Sequence, residues 1–405
     1  MADSAIDYDN DTTHTAGPDF ILALSVIPSS YALITWLVTL AMIPLSPQSI
    51  NSLSINSIFV ISYTILFFIL SIIINLKFAD KSLRNFREPV LHNIIIIAFL
   101  ISSCFGLIGL YLYIISIIDI VGGFYGLLYI VSGQNFLEIR AASSKISSVG
   151  VQLAYFSWAA IFIGFFIIQK RKFKLIVRIF IFSIIILQFV GNLLFIDRTR
   201  PLWIAIPLIM AIFFGKKYHK IKLKKLFLLL LLIPLTFFVG FSILTGKVSE
   251  YGVGDTLFTY ATGGYGYLDA LIFENEPKDF IPVRLGYWFA KLIELVGFDL
   301  QIPNQVLPFK YVPFLTNVGT FLEPIYSDGG LPFVLALVPL IVIGMDRLAL
   351  SMYARSTHFG LLIWGNIVFF SMVSFFVPKF NQLPIWLFIL MALVADKQYG
   401  KRNDR

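Results

Sequence analysis

The sequence predicts an all-α polytopic membrane protein that has about ten transmembrane helices and one large loop on the non-cytoplasmic side. Hydrophobic residues make up 58% of the chain and charged residues only 13%, whereas charged residues make up about 25% of an average soluble domain. Apolar runs close to the roughly 20 residues that a helix needs to cross a bilayer recur along the chain. Lys and Arg residues cluster in every second connection between these runs, which is typical of cytoplasmic loops.

We divide the chain into five parts. Residues 1–19 are polar and acidic and are expected to form a disordered cytoplasmic tail, and no signal peptide is predicted because no basic stretch precedes a short apolar run. Residues 20–244 contain seven predicted spans, residues 245–330 form the large loop, and residues 331–396 contain three further spans. Residues 397–405 are expected to form a basic cytoplasmic tail.

Ten apolar runs are the predicted spans. They cover residues 21–45, 56–76, 92–115, 149–168, 173–195, 201–215, 225–244, 331–346, 357–377 and 382–395. Pro28 interrupts the first run and Pro207 the sixth, so each of these helices is expected to bend or to be accommodated by its neighbours.

The basic residues predict the orientation of the chain. Of its 31 Lys and Arg residues, 21 lie in alternate connections and the C-terminal tail. These segments are 77–90, 170–178, 216–225, the connection after residue 346, and the tail. With ten spans, this alternation places both termini in the cytoplasm. The basic clusters lie in short, separate loops and form no continuous groove, so they favour contact with anionic membrane lipids over nucleic-acid binding.

Metal and thiol chemistry are not predicted. The single cysteine, Cys104, lies within an apolar run and is interpreted as a small packing residue. The sequence has no Cys/His cluster, no HExxH and no CxxC motif, so we expect neither a zinc site nor any other cofactor.

Two short outer segments carry arginines. Arg140 lies in a small polar loop within residues 116–148, and Arg198 and Arg200 lie in the turn DRTRPLW. The span after this turn has about 15 residues, or ~22 Å at 1.5 Å per residue, against a hydrocarbon core of about 30 Å. Both turn arginines are therefore expected at the phosphate level of the outer leaflet, where arginine suits bidentate phosphate contact. A simple interfacial anchor, assisted by Trp203, explains the turn equally well.

The large loop has a different composition, with ten acidic and five basic residues. Its first part, YGVGDTLFTYATGGYGYLDA, alternates aromatic residues and glycines, which suits either a sugar-binding surface or interfacial anchoring. Apolar residues then recur at helical spacing, which predicts an amphipathic helix lying on the outer leaflet, as an anchor or as a lid over a lipid-borne substrate. These residues are Leu285, Trp288, Phe289, Leu292, Ile293 and Val296. Polar side chains collect in NVGTFLEPIYSDGG at the entrance to span 8, where we expect a protein-lined cavity.

The basic turn DRTRPLW, the large outer loop and the late motif NVGTFLEPIYSDGG occur in an order that resembles the Wzy-type O-antigen (oligosaccharide repeat-unit) polymerases. The architecture agrees from about residue 130 to 395. The residue-level similarity is confined to these segments and to the arginine of NFLEIRAAS, Arg140. A more typical late motif has aromatic residues at the positions of Gly319 and Gly329.

The resemblance implies a GT-C-like, metal-independent glycosyltransferase of the bacterial inner membrane, with its active site on the periplasmic face. It would transfer a growing glycan from undecaprenyl diphosphate to the terminal sugar of another lipid-linked repeat unit, forming O-antigen or a related surface polysaccharide. The implied partners are undecaprenyl-diphosphate-linked oligosaccharides, membrane lipids and a chain-length regulator protein. No cofactor and no nucleic acid are implied.

Such a transfer assigns roles to the outer polar residues. Departure of the lipid diphosphate builds negative charge, which guanidinium groups would stabilise. Our hypothesis gives this task to Arg140, Arg198 and Arg200, with Arg284 in reserve. The acceptor hydroxyl needs a general base. All four histidines lie in the N-terminal tail or near the cytoplasmic side, which leaves the carboxylates. The two candidates, each of which has a structural hydrogen-bonding role as the alternative, are Glu323 and Asp328. The expected substrate-binding residues are Arg198, Arg284, Asn317, Thr320 and Tyr326.

Three other functions remain open. An O-antigen ligase shares the topology and the donor, but its family uses a histidine in the large outer loop, and residues 245–330 contain none. A flippase for lipid-linked oligosaccharides should carry charges well inside several spans, whereas the polar residues here collect on one face. A scaffold role is compatible with the same sequence.

Overall fold

The computed structural model describes most of the helical core of the chain. The described residues are 20–45, 53–89, 93–123, 125–126, 148–169, 173–193, 199–215, 226, 230, 232, 236, 240, 248–274, 278, 280–298, 300–303, 307–312, 315–381, 386 and 389–390. The predicted tails, Arg140, Arg198 and most of the predicted spans 225–244 and 382–395 lie outside them. About 81% of the described part is helical.

The described helices and strands follow one another in this order: α1 (Phe20–Ser25), α2 (Pro28–Met42), α3 (Ile55–Asn85), α4 (Asn93–Ile120), α5 (Ser148–Ala154), α6 (Phe156–Gln169), α7 (Leu175–Leu193), α8 (Thr199–Phe214), α9 (Val248–Glu274), α10 (Tyr287–Leu295), β1 (Lys310–Tyr311), β2 (Leu315–Thr316), α11 (Leu322–Ala354) and α12 (His358–Val373). The two strands form a short antiparallel hairpin in which Lys310 pairs with Thr316.

Six helical segments are long and apolar enough to cross a membrane. They are Pro28–Leu45, Ile55–Asn85, Asn93–Ile120, Val149–Gln169, Leu175–Leu193 and Leu322–Ala354. The shorter apolar helices α8 and α12 fall on the sixth and ninth predicted spans. The prediction of an all-α polytopic membrane protein is therefore confirmed, and the total of ten spans stays a prediction.

Several helices are longer than the apolar runs that predicted them. Helix α3 continues to Asn85, through a basic segment predicted as a loop, and Arg84 pairs there with Asp80 one turn earlier at 2.8 Å. Helix α11 begins at Leu322, nine residues before the predicted span. Hydropathy detects only the apolar part of a helix. It does not detect polar helix ends whose side chains are paired or buried in the protein.

The first span is broken at Pro28, as predicted. Helix α1 ends at Ser25 and α2 begins at Pro28, so the first N–H groups of α2 have no partner within the helix. The buried carboxylate of Asp346 in α11 accepts the Ser29 N–H at 3.0 Å and the Ser71 hydroxyl at 2.6 Å. A distant helix therefore caps α2 inside the bundle.

This cap predicts a stability effect. A buried donor left without an acceptor costs about 1–3 kcal/mol, and Asp346→Ala would leave two such donors. We expect a clear loss of thermal stability in detergent for Asp346→Ala and a smaller loss for Asp346→Asn, which keeps one acceptor oxygen. The control is Asp80→Ala, which removes only a surface ion pair with Arg84 and is expected to change stability by less than about 1 kcal/mol. Equal effects of the three variants would contradict the capping role.

Two hydrophobic clusters hold the described helices together. In one, Trp203 of α8 packs against Trp158 of α6 and Phe370 of α12, at 4.0 and 5.2 Å between ring centroids. In the other, Trp36 of α2 makes edge-to-face contacts of 5.4 to 5.8 Å, and its partners are Phe68, Tyr265 and Phe321. The second cluster lies directly beneath the polar residues at the start of α11.

The first part of the segment predicted as the large outer loop is helical and packs into the bundle. Tyr265 and Tyr267 of α9 are buried, and the Tyr265 hydroxyl lies 2.8 Å from that of Thr39. Asp269 accepts hydrogen bonds from the Ser54 N–H and the Ser57 hydroxyl at the start of α3. The interpretation of this segment as a sugar-binding surface is corrected for these two tyrosines, because their rings are occupied in packing.

The predicted amphipathic helix is present as α10. Phe289 and Leu292 are exposed, whereas Ala290 faces the protein. On the polar side, a hydrogen bond from the Lys291 amine to Glu294 (2.7 Å) raises the pKa of Lys291 and keeps it charged. Exposed aromatic and aliphatic side chains beside an ion pair are the pattern of a helix at a membrane surface.

The orientation can be tested by cysteine labelling. Cys104 is exposed, contrary to its interpretation as a packing residue, so it must first be replaced by serine. A cysteine at the exposed Phe273 should then react with an impermeant maleimide in intact cells, whereas a cysteine at Arg84 should react only after permeabilisation. The reverse pattern would overturn the orientation and the placement of every outer residue.

Candidate functional site

A glycine kink positions the two candidate carboxylates. Gly330 has φ of 61°, a conformation that glycine adopts readily and other residues rarely. It separates the first turns of α11, which carry Glu323 and Asp328, from the longer part that spans the membrane. Next to it, a Cβ atom on Gly329 would lie 2.0 Å from the Phe333 ring. The Phe333 ring therefore fills the space that a side chain at position 329 would need, which explains why this position holds glycine and not an aromatic residue.

Asp328 is held by backbone groups. Its two carboxylate oxygens accept the Arg284 N–H, each at 3.0 Å, and Oδ2 also accepts the Leu285 N–H at 2.8 Å. The side chain is buried. Asp328 thus fixes the chain immediately before α10, because both of its carboxylate oxygens accept backbone N–H groups there.

Glu323 contacts the side chain of the same arginine. Its Oε1 atom accepts hydrogen bonds from Arg284 Nη1 at 3.0 Å and from the Ser327 hydroxyl at 2.9 Å. Glu323 is 3% exposed, whereas the Arg284 side chain retains 22% exposure. Arg284 therefore bridges the two carboxylates, with its backbone on Asp328 and its guanidinium on Glu323, and it opens the site toward solvent.

The other residues of the late motif surround this pair. Thr320 starts the helix, because its carbonyl accepts the Glu323 N–H at 3.0 Å and its hydroxyl accepts the Leu322 N–H at 3.2 Å. The Tyr326 ring is buried beneath the amine of Lys278, with 5.2 Å between Nζ and the ring centroid. Asn317, which lies three residues before Thr320 in the chain, is half-buried. The predicted binding role of Thr320 competes with its part in the helix start.

Arg200 lies in a different place, beside aromatic rings of the hydrophobic cluster that contains Trp203. It is 5% exposed, and its guanidinium carbon lies 4.7 Å from the Tyr155 ring centroid and 5.8 Å from that of Trp158. Trp203 is also buried, and its indole N–H donates to Asn366. The burial of Trp203 corrects its interpretation as an interfacial anchor. The burial of Arg200 does not distinguish an anchor from a phosphate contact, because both interpretations place its guanidinium at the headgroup level.

A segment that was not singled out from the sequence connects the site around Glu323 and Arg284 with the aromatic rings beside Arg200. Residues 374–381 follow α12, and the Ser374 carbonyl accepts the Phe321 N–H at 2.8 Å while Asn381 Nδ2 donates to the Arg284 carbonyl at 3.3 Å. On the other side, Lys379 Nζ lies 5.4 Å from the Trp203 ring centroid. The signal in the sequence was one lysine, in VPKFN, between two apolar runs on the predicted outer side.

The structure thus brings Glu323, Asp328 and Arg284 into direct contact, and it places Arg200 beside the rings of Tyr155 and Trp158. Within the described ranges, no three His, Cys, Asp or Glu side chains come together in a way that could hold a metal ion. The Glu323 carboxylate is buried and is oriented by the Arg284 guanidinium and the Ser327 hydroxyl. A carboxylate held in this way can exchange a proton with a bound hydroxyl group.

No protein-family model, curated protein or solved structure matches this chain.

Proposed function

We propose that this protein polymerises oligosaccharide repeat units carried on undecaprenyl diphosphate, on the outer face of the bacterial inner membrane. The observation that carries the proposal is the buried Glu323 carboxylate, bound by Arg284 in the first turn of a helix that is long and apolar enough to cross a membrane. The orientation predicted from the basic residues puts this end of the helix on the outer side. A lipid-linked sugar presents its reacting bond at this depth, because its diphosphate stays at the membrane surface.

In the proposed reaction, the hydroxyl of the acceptor sugar attacks the anomeric carbon of the donor glycan. The bond from that carbon to the diphosphate oxygen breaks, and undecaprenyl diphosphate leaves with the bonding electron pair. Glu323 takes the hydroxyl proton. Its Oε1 atom is already engaged by Arg284 and Ser327, so we assign the proton transfer to Oε2. The glycan is now one repeat unit longer and remains attached to the acceptor lipid.

Asp328 and Arg284 have different parts in this scheme. Asp328 is a positioning residue, because it binds the backbone of Arg284 and Leu285 and not an outward-facing group. Arg284 orients Glu323 and is the partly exposed cation nearest to the proposed base. The leaving diphosphate is assigned to Arg200, together with Arg140 and Arg198, since cationic groups in a water-poor site stabilise developing negative charge strongly.

One observation favours the flippase alternative. Asp346 is a buried acid inside a spanning helix, as expected along a transport route. Its hydrogen bonds to Ser29 and Ser71 explain it as the cap of a broken helix, and the other described carboxylates at the site lie at the outer end of α11. The enzyme is therefore the better-supported reading.

The proposal is tested with purified protein in nanodiscs and lipid-linked oligosaccharide. We expect a ladder of polymer on a gel, equally strong with and without EDTA, because guanidinium groups and not a divalent ion stabilise the leaving group. Loss of polymer on chelation, with recovery after addition of a divalent ion, would contradict the arginine-based mechanism. Translocation of the lipid-linked substrate in proteoliposomes without any polymer would favour the flippase.

A further inference from the structure

Three residues between α9 and α10 contact the first part of α11, and they are Lys278, Phe280 and Arg284. The Lys278 amine lies over the Tyr326 ring, with 5.2 Å between Nζ and the ring centroid. The Phe280 ring lies edge-on to the Phe333 ring, with 5.8 Å between the two centroids. Arg284 binds the two carboxylates of the candidate site. The contacts on both sides of the site therefore fix the position of Lys278 relative to α11.

The amine of Lys278 is available to a ligand. The side chain is half-buried, and its stem passes close to the kink, since a Cβ atom on Gly330 would lie 3.6 Å from Lys278 Cγ. Lys291 and Lys310, on the same predicted outer segment, each form an ion pair with a glutamate. In the described part of the chain, the Lys278 amine has the Tyr326 ring as its partner and forms neither a hydrogen bond nor an ion pair. Its three N–H donors are thus unused.

Four charged side chains meet at this site, and their formal charges balance. Glu323 and Asp328 are negative, Arg284 and Lys278 are positive, and the charge of Lys278 acts on both carboxylates. In the proposed reaction, Glu323 takes a proton and becomes neutral. The four groups then carry one positive charge in excess, at the moment when negative charge develops on the leaving diphosphate. A cation already in place in a water-poor site stabilises such a charge strongly.

The proposed reaction also brings a phosphate close to Glu323. A general base lies about 3 Å from the hydroxyl oxygen that it deprotonates, and that oxygen attacks a carbon about 3–3.5 Å away. The leaving phosphate is bonded to the same carbon. A cation that binds this phosphate must therefore lie near Glu323, and Lys278 meets that requirement.

We propose that Lys278 binds the sugar-linked phosphate of the lipid diphosphate donor, beside the Glu323 carboxylate. This inference rests on the proposed function, since the donor supplies the diphosphate. The Tyr326 ring holds the ammonium group by cation–π attraction and leaves its N–H donors free for phosphate oxygens. When the bond between the anomeric carbon and the phosphate oxygen breaks, the oxygen keeps the electron pair and Lys278 stays protonated. Lys278 is thus a substrate-binding residue that lies outside the sequence motifs.

The test measures binding of farnesyl diphosphate to the full chain in phosphatidylcholine nanodiscs, beside farnesyl monophosphate, farnesol and inorganic pyrophosphate. The terminal phosphate of farnesyl diphosphate corresponds to the sugar-linked phosphate of the donor, and the monophosphate lacks it. Lys278→Met is expected to raise the Kd for farnesyl diphosphate by about 10–100-fold, the loss that follows removal of a hydrogen bond to a charged group. It should affect the monophosphate less and leave farnesol unchanged.

Three further variants complete the test. Lys278→Arg keeps the charge and should retain most of the binding. Lys278→Gln removes the charge with a polar side chain and takes the place of Lys278→Met if methionine is not tolerated. The matched control is Lys310→Met, which should leave the Kd unchanged, because Lys310 also lies over a tyrosine ring, 5.7 Å from Tyr267, but pairs with Glu274.

Unchanged affinity for farnesyl diphosphate in Lys278→Met or Lys278→Gln, with a normal unfolding temperature, would overturn the proposal. An equal loss of farnesol binding would also overturn it, by indicating a structural role, and an equal loss for the monophosphate would refute the assignment to the sugar-linked phosphate. If phosphatidylglycerol in the nanodisc, or free pyrophosphate, competes as well as farnesyl diphosphate, the site takes any phosphate and the donor specificity is wrong.

A parallel polymer assay separates this inference from the function on which it rests. Diphosphate binding that is weakened by Lys278→Met, in a protein that makes no polymer, would refute the proposed function alone. Normal diphosphate binding in Lys278→Met, when the wild-type protein is an active polymerase, would refute this site alone.

Discussion

Glu323→Gln is expected to reduce polymer formation by about 10²–10⁴-fold, the usual contribution of a general base, while binding of the lipid-linked substrate persists. The amide keeps the shape of the side chain and one acceptor oxygen for Arg284 and Ser327, but it cannot take a proton. In cells, the expected product is surface lipid that carries single, unpolymerised repeat units. The measurement is the rate of polymer formation by purified variants at equal substrate occupancy.

Two further variants serve as a control for the chemical change and as a comparison between the two candidate bases. Glu294→Gln makes the same chemical change on exposed helix α10 and is expected to leave the rate nearly unchanged. Asp328→Asn retains an acceptor for the backbone N–H groups of Arg284 and Leu285, so it should reduce the rate less than Glu323→Gln. A larger loss in Asp328→Asn than in Glu323→Gln would transfer the role of base to Asp328.

Arg284→Lys is expected to lower the polymerisation rate by about 10²-fold, the order of loss that follows when a reacting group is misplaced by about 1 Å. Lysine keeps the positive charge but loses the planar fork that reaches Glu323 Oε1 while the backbone stays on Asp328. Arg284→Ala should be at least as inactive, and it should also lose stability because Glu323 would remain buried without its cation. The rates are measured at saturating substrate and compared with the thermal stability of each variant.

The control for the lysine variant is Arg84→Lys, which makes the same change in an exposed pair at the far end of α3. A surface pair of this kind contributes less than about 1 kcal/mol, so a normal rate is expected. If Arg284→Lys is also fully active, the guanidinium has no special part in the chemistry, and the bridge between the two carboxylates is only structural.

Local sequence features predicted the parts of this fold that depend on neighbours in the chain. The break at Pro28 follows from the fixed backbone of proline. The amphipathic helix α10 follows from apolar residues repeating at helical spacing. The grouping of Glu323 and Asp328 follows from their spacing within one polar motif at the start of α11.

Contacts between distant parts of the chain escaped the same reasoning. Arg284 lies 39 residues before Glu323, and the hydrogen bond between their side chains makes this reserve cation the direct partner of the proposed base. The packing of α9 against α2 is joined by a hydrogen bond between Thr39 and Tyr265, which are 226 residues apart. Lys379 is visible in the sequence only as one cation in a short connection, because Trp203, whose ring lies near its amine, comes from a different helix.

The central claim is that one lipid-linked glycan is transferred onto another at the Glu323 site. The most direct measurement uses purified protein with two repeat-unit substrates, one carrying a heavy-isotope lipid and the other a heavy-isotope sugar, and identifies the products by mass spectrometry. The account predicts a glycan of two units attached to one lipid diphosphate, with one free undecaprenyl diphosphate released for each linkage formed, and neither product in Glu323→Gln. Unchanged single units in the wild-type protein, or free diphosphate together with unattached glycan, would contradict it.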